Sequence, residues 1–158
     1  MSDPHVLDPE HLPTPFTADE IRAAAPDGYI VETLTEEADG TVARQRTVFV
    51  DGDEDGVTMR VEVVDEAGSP VGDERAGRAR WLDLQGHASF PAAVATRSSE
   101  QIETPLGALD CLRYEVGMAD RTMVFWFSVD HPGMPVRHLA HRDGAVESTT
   151  TVTAIRTP

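Results

Sequence analysis

Residues 51–62 read Asp-Gly-Asp-Glu-Asp-Gly, then five residues, then Glu62. That spacing is the calcium-loop pattern of an EF-hand, and calcium takes carboxylate oxygens, so Asp51, Asp53 and Asp55 are candidate metal ligands. An EF-hand needs helices on both sides of its loop. Here both flanks read as strand: Val57, Met59, Val61 and Val63 alternate with Thr58, Arg60 and Glu62. If that run is extended, Glu62 lies roughly 23 Å beyond Asp55 at ~3.3 Å per residue, far outside a calcium–oxygen distance of about 2.3–2.6 Å. Glu62 is expected instead to meet Arg44 or Arg46 across a hairpin. Three aspartates remain in a turn and could share a calcium ion. Asp and Gly suit turns on their own account, so the preferred reading is a structural turn with no cofactor.

Other chemistry-bearing side chains give less. Cys111 sits in a strand-like run beside Asp110, which opposes thiolate formation, so a buried, unreactive cysteine is expected. His138 and His141 fall on opposite faces of a strand and cannot jointly hold a metal. His138 alternates with Met134 and Val136 and is expected to face inward. Phe125-Trp126-Phe127 is the strongest apolar signal: Met123, Phe125 and Phe127 share one face, Val124 and Trp126 the other. Such a strand is covered on both sides or lines a cavity. Arg75, Arg78 and Arg80 could grip an anion beside Trp81, but in so acidic a chain they are expected to pair with acids.

These groups are positioned mainly by strands. Residues 1–15 carry Pro4, Pro9, Pro13 and Pro15 and are expected to form a disordered or extended arm, ahead of a single domain over 16–158. Thr17-Ala18-Asp19-Glu20 is a capping box, and the helix it starts should stop at Pro26-Asp27-Gly28. Period-two runs then recur with turn residues between them: 29–37, 41–50, 57–65, 92–104, 108–116, 121–129, 134–141 and 145–156. A short helix is expected over Arg78–Ala88, with a strand as the alternative. The fold expected is α+β: a curved antiparallel sheet of seven to eight strands with one or two short helices against it.

The bulk composition excludes several functions. The 158 residues hold 28 acids against 13 basic residues, all arginine, for a formal charge of −15. A nucleic-acid partner needs a basic surface, and an anionic membrane is disfavoured for the same reason. No apolar run approaches the ~18 residues that span a bilayer. The first residues lack the charged and apolar regions of a signal peptide, which gives a cytoplasmic expectation. One cysteine excludes an internal disulfide.

The C-terminal third has a recognisable cadence. Thr104, Pro105, Gly107 and Cys111 are followed by Trp126, Phe127 and Ser128, then by Gly133, Pro135 and Val136. This series is similar to the LolA-like lipoprotein-carrier half-barrel proteins and their relatives. The resemblance implies a strongly curved antiparallel sheet with helices in its concave face, sometimes enclosing an acyl chain. The function expected is therefore a non-enzymatic binding module holding an apolar small molecule, with Trp81, Tyr114, Phe125, Phe127 and His138 as ligand-binding residues. The alternatives are a domain that binds a protein partner and has a filled interior, or a small enzyme pairing His138 with an acid.

Overall fold

The computed structural model describes residues 2–158. Its elements, in chain order, are α1 (Ala18–Ala24), β1 (Tyr29–Glu37), β2 (Val42–Val50), β3 (Gly56–Val64), β4 (Arg75–Arg80), α2 (Trp81–Gly86), β5 (Ala95–Thr104), β6 (Gly107–Gly117), β7 (Thr122–Ser128), β8 (Arg137–Arg142) and β9 (Ala145–Arg156). The strands form one nine-stranded sheet in the order β4-β3-β2-β1-β9-β8-β7-β6-β5. Every neighbouring pair is antiparallel. The chain thus builds two meanders and joins them where β1 pairs β9. The sheet is an open curl whose end strands, β4 and β5, do not pair with each other. Register shifts at Glu32/Thr33 and Ala140/His141 mark bulges, which bend a strand and tighten its twist.

The α+β expectation is met, with nine strands where seven to eight were expected. The additional strand is β4, whose sequence Arg-Ala-Gly-Arg-Ala-Arg has no alternation of apolar residues. It is an edge strand and exposed except at Ala79, so no buried face left a pattern to read. Pairing of Thr58 with Arg78 and Gly56 with Arg80 makes it a strand. The helix expected from Arg78 therefore begins at Trp81. Arginines on β4 and polar residues on β5 blunt edges that would otherwise recruit further strands.

Helix α1 forms where the capping box placed it. The Glu20 amide donates to Thr17 Oγ1 at 3.2 Å, and the Thr17 amide donates to Glu20 Oε1 at 3.0 Å. Ile21 is its one buried helical residue.

Among the described residues the N-terminal arm carries no strand of the sheet, yet it is tied down at several points. Leu12 donates to the Phe90 carbonyl at 2.9 Å, and Thr14 to the His5 carbonyl at 2.7 Å. Prolines remove backbone donors but leave acceptors, and two buried side chains use them. Tyr114 Oη donates to the Pro13 carbonyl at 2.6 Å. Gln85 Nε2 donates to the Pro4 carbonyl at 2.9 Å and to Thr14 Oγ1 at 3.0 Å, while its Oε1 accepts from the Ala18 amide at 2.9 Å. Gln85 is 3 % exposed and Thr14 is 1 % exposed. One side chain from α2 thereby holds both the arm and the start of α1. Replacing Gln85 by Leu strands these partners, each buried unsatisfied group costing ~1–3 kcal/mol. We expect Gln85→Leu to lose about 2–4 kcal/mol in urea unfolding and to expose the arm to protease. Unchanged proteolysis would show that the arm is held by other means.

A candidate ligand-binding cavity

The side chains of the sheet sort by face. Across the concave face, Tyr114 of β6 pairs with Phe125 of β7, Phe125 with His138 of β8, and His138 with Thr150 of β9. Phe127 lies two residues along β7, on the same face. Phe125 stacks on Phe90 at 5.1 Å between ring centroids, and its ring is 5.8 Å from that of His138. Trp126 points to the convex face, where the Arg113 guanidinium covers its ring at 5.6 Å and its Nε1 donates to Glu100 at 2.8 Å. The strand apolar on both faces is therefore covered on both: by helices and arm on one side, by an arginine on the other.

Between the concave face and its cover lies a cavity of about 400 Å³. The sheet supplies Phe49, Met59, Ala79, Phe125, Phe127 and His138. Phe16, Ile21, Leu84 and Ala88 approach from the arm and helices, and Met134 and Pro135 come from the loop before β8. A second space of about 20 Å³ adjoins it across Ile21, Phe49 and Met134, with room for about one water.

Three of the five residues expected to bind a ligand, Phe125, Phe127 and His138, line the large cavity. Trp81 and Tyr114 do not. Tyr114 is fully buried, with its ring edge-on to Phe127 at 5.6 Å and its hydroxyl committed to Pro13. Trp81 is also buried, and its Nε1 donates to the Asp53 carbonyl at 2.8 Å. Both shape the wall from behind. Phe49, Met59 and Leu84 were not singled out in the sequence reading. Met59 could have been found from its alternation with Thr58 and Arg60, but nothing local says that Leu84 lines the same cavity.

The acidic turn is an exposed, hydrogen-bonded corner. Asp53 Oδ1 accepts from the Asp55 and Gly56 amides, both at 2.9 Å, and its Oδ2 meets Arg78 at 2.7 Å. Arg78 also bonds the Asp51 carbonyl. The amides of Gly56 and Asp55 hold the Asp53 carboxyl below its ordinary range, with a smaller contribution from Arg78. A Cβ at Gly56 would run into the Ala79 carbonyl, so packing against β4 explains this glycine. Glu62 lies on β3 and pairs with Arg46 at 2.9 Å, away from the turn. Among the described residues, no three or more His, Cys, Asp or Glu converge as a metal site.

Cys111 is buried, and burial first, then Asp110 and Glu100, pushes its thiol above the ordinary range. Around His138 no cavity-lining residue among those described is Asp or Glu, so the His–acid pairing considered from sequence is not assembled there. Burial lowers the His138 pKa below its ordinary value.

No family model matches the chain, and no curated protein matches it in sequence. Similarity is found among solved structures. A protein of Bacteroides fragilis described as exported, with a YmcC-like fold, is 11 % identical and superposes with a TM-score of 0.50 over 84 % of this chain and 97 % of its own. A domain from Vibrio parahaemolyticus described as an outer membrane lipoprotein-sorting protein is 12 % identical, covering 88 % of this chain and 89 % of its own, with a TM-score of 0.32. The first of these shares the curled-sheet fold, and the weak LolA-like resemblance read from the C-terminal third stands as a resemblance of fold. The cytoplasmic expectation is corrected by the same comparison. The Bacteroides fragilis neighbour is described as an exported protein. Among the described residues no helix is long and apolar enough to cross a membrane.

A lowered histidine pKa means that the fold disfavours the proton on His138. Its contribution to stability is complete above the ordinary value of 6.5 and is lost as pH falls toward the lowered one. Between pH 7.5 and 5 the protein should therefore lose more stability than a His138→Phe variant in parallel urea titrations. Equal losses would show that His138 is not the group responsible.

Proposed function

We propose that the chain is a non-enzymatic binding module that holds an apolar or acyl chain between its sheet and its helices. The observation that carries this reading is the cavity of about 400 Å³ with walls made almost wholly of Phe, Met, Leu, Ile, Ala and Pro. Small-molecule sites run from about 300 to 1,000 Å³ and are lined in this way, with few polar groups. Packed protein interiors contain few voids larger than a water molecule, so a space of this size in a small domain supports ligand binding over a filled interior. The open edges of the sheet give the cover freedom to part without breaking a closed ring of strands.

Burying one methylene stabilises by ≈ 0.8 kcal/mol, or roughly a fourfold gain in affinity at 1.36 kcal/mol per decade. For uncharged n-alkyl ligands we expect affinity to rise by about that factor per added carbon until the cavity is full, then to level off. Ala79→Phe adds a ring to the empty volume and should move the plateau to shorter chains while the fold persists. Native mass spectrometry of protein purified from its own host should show a bound apolar molecule. A bare chain, together with no dependence on alkyl length, would overturn the proposal.

A further inference from the structure

We propose that the ligand is an uncharged single-chain amphiphile whose hydroxyl or carbonyl head bonds the ring of His138. This inference rests on the binding role proposed above and concerns which class of molecule fills the cavity.

The polar side chains on the wall decide the matter. Among the described lining residues none is Asp, Glu or Arg, and the chain has no lysine; the polar ones are Gln85, His87 and His138. Gln85 is buried, and both its amide hydrogens are committed. Its oxygen accepts from Ala18, and its two amide hydrogens go to Pro4 and Thr14. Thr14 Oγ1 in turn donates to the Phe16 carbonyl at 2.9 Å, so it must accept from Gln85, and the orientation of the amide follows. His87 is exposed to solvent.

His138 differs from both. It is half-buried, its ring lies against Phe125, and no described residue hydrogen-bonds either ring nitrogen. Its lowered pKa, caused by burial without a carboxylate, keeps the imidazole uncharged near neutral pH. A neutral imidazole presents one donor and one acceptor, which match a hydroxyl and can also serve a carbonyl. A carboxylate or phosphate head finds no cation on this wall, and an unpaired charge is strongly disfavoured when buried. The formal charge of −15 adds long-range repulsion of anions. A plain hydrocarbon would fill the volume but leave the imidazole without a partner, which is also costly.

The test uses the full chain with the uncharged dye N-phenylnaphthylamine, displaced at pH 7.5 by decanol or by decanoate. We expect decanol to displace the dye at about one-tenth the concentration of decanoate or less. In His138→Phe, the affinity for decanol relative to the dye should fall roughly fivefold to tenfold, the worth of one hydrogen bond. His138→Gln keeps a donor and an acceptor and should recover most of that ratio. Decanoate displacing as well as decanol, or a decanol-to-dye ratio that His138→Phe leaves unchanged, overturns the headgroup inference while the binding role stands. If neither the dye nor the two ligands bind the wild-type protein, both proposals fall. Should His138→Phe not fold, the decanol–decanoate comparison and His138→Gln decide the outcome.

Discussion

The architecture hangs on one buried amide. An open antiparallel sheet with an apolar concave face is stable only if something covers that face, and this chain has little to cover it with. Two helices of two turns or less would not hold themselves there, since short helices are marginal without tertiary support. Gln85 fastens them. It takes the Ala18 amide at the start of α1 and returns its two hydrogens to Pro4 and Thr14 of the arm. Arm, α1 and α2 become one cover, held by a residue whose amide oxygen and both amide hydrogens are bonded to them. Because the cover is propped at this node and on large side chains such as Phe16 and Ile21, it does not sink fully onto the sheet. The cavity is the space left beneath it.

The convex face obeys the opposite rule. Arg46 bridges Glu32 at 3.2 Å and Glu62 at 2.9 Å, a row of charges across β1, β2 and β3. Arg113 lies between Trp126 and Glu100. Alternation along each strand separates these charges from the aromatic face by the thickness of the sheet, so the surplus of acid stays outside and the cavity keeps almost no polar atoms. His138 is the exception on the inner wall, and its isolation from the charges gives it chemical meaning.

Much of this was legible in local sequence. Eight of the strands follow period-two runs between turn residues, the capping box placed α1, and alternation put Phe125 and Phe127 on one shared face and turned His138 inward. What escaped shared one cause. β4 has no buried face, so its six residues carry no period, and only pairing with β3 makes them a strand. Tyr114 and Trp81 were expected to line an apolar pocket between sheet and helices. Their hydroxyl and indole hydrogen are instead used by Pro13 and Asp53 carbonyls, partners that no local pattern reveals. At 51–55, where a structural turn was the preferred reading, the partner that escaped is the β4 arginine that meets the Asp53 carboxylate.

The sequence by itself determined the strands, the turns between them, the cap of α1 and the sorting of side chains into two faces, because each depends on residues a few positions apart. Tertiary structure alone decided that the two meanders join through β1 and β9, where Thr35 and Thr150, 115 residues apart, share a hydrogen bond of 2.8 Å. It also decided that a proline-rich arm is held in place, that Leu84 and Met59 line one cavity, and that among the described residues no Asp or Glu lines that cavity beside His138. A cavity is a relation between distant surfaces. Its size is set by how closely the cover can approach the sheet, and no local periodicity encodes that distance.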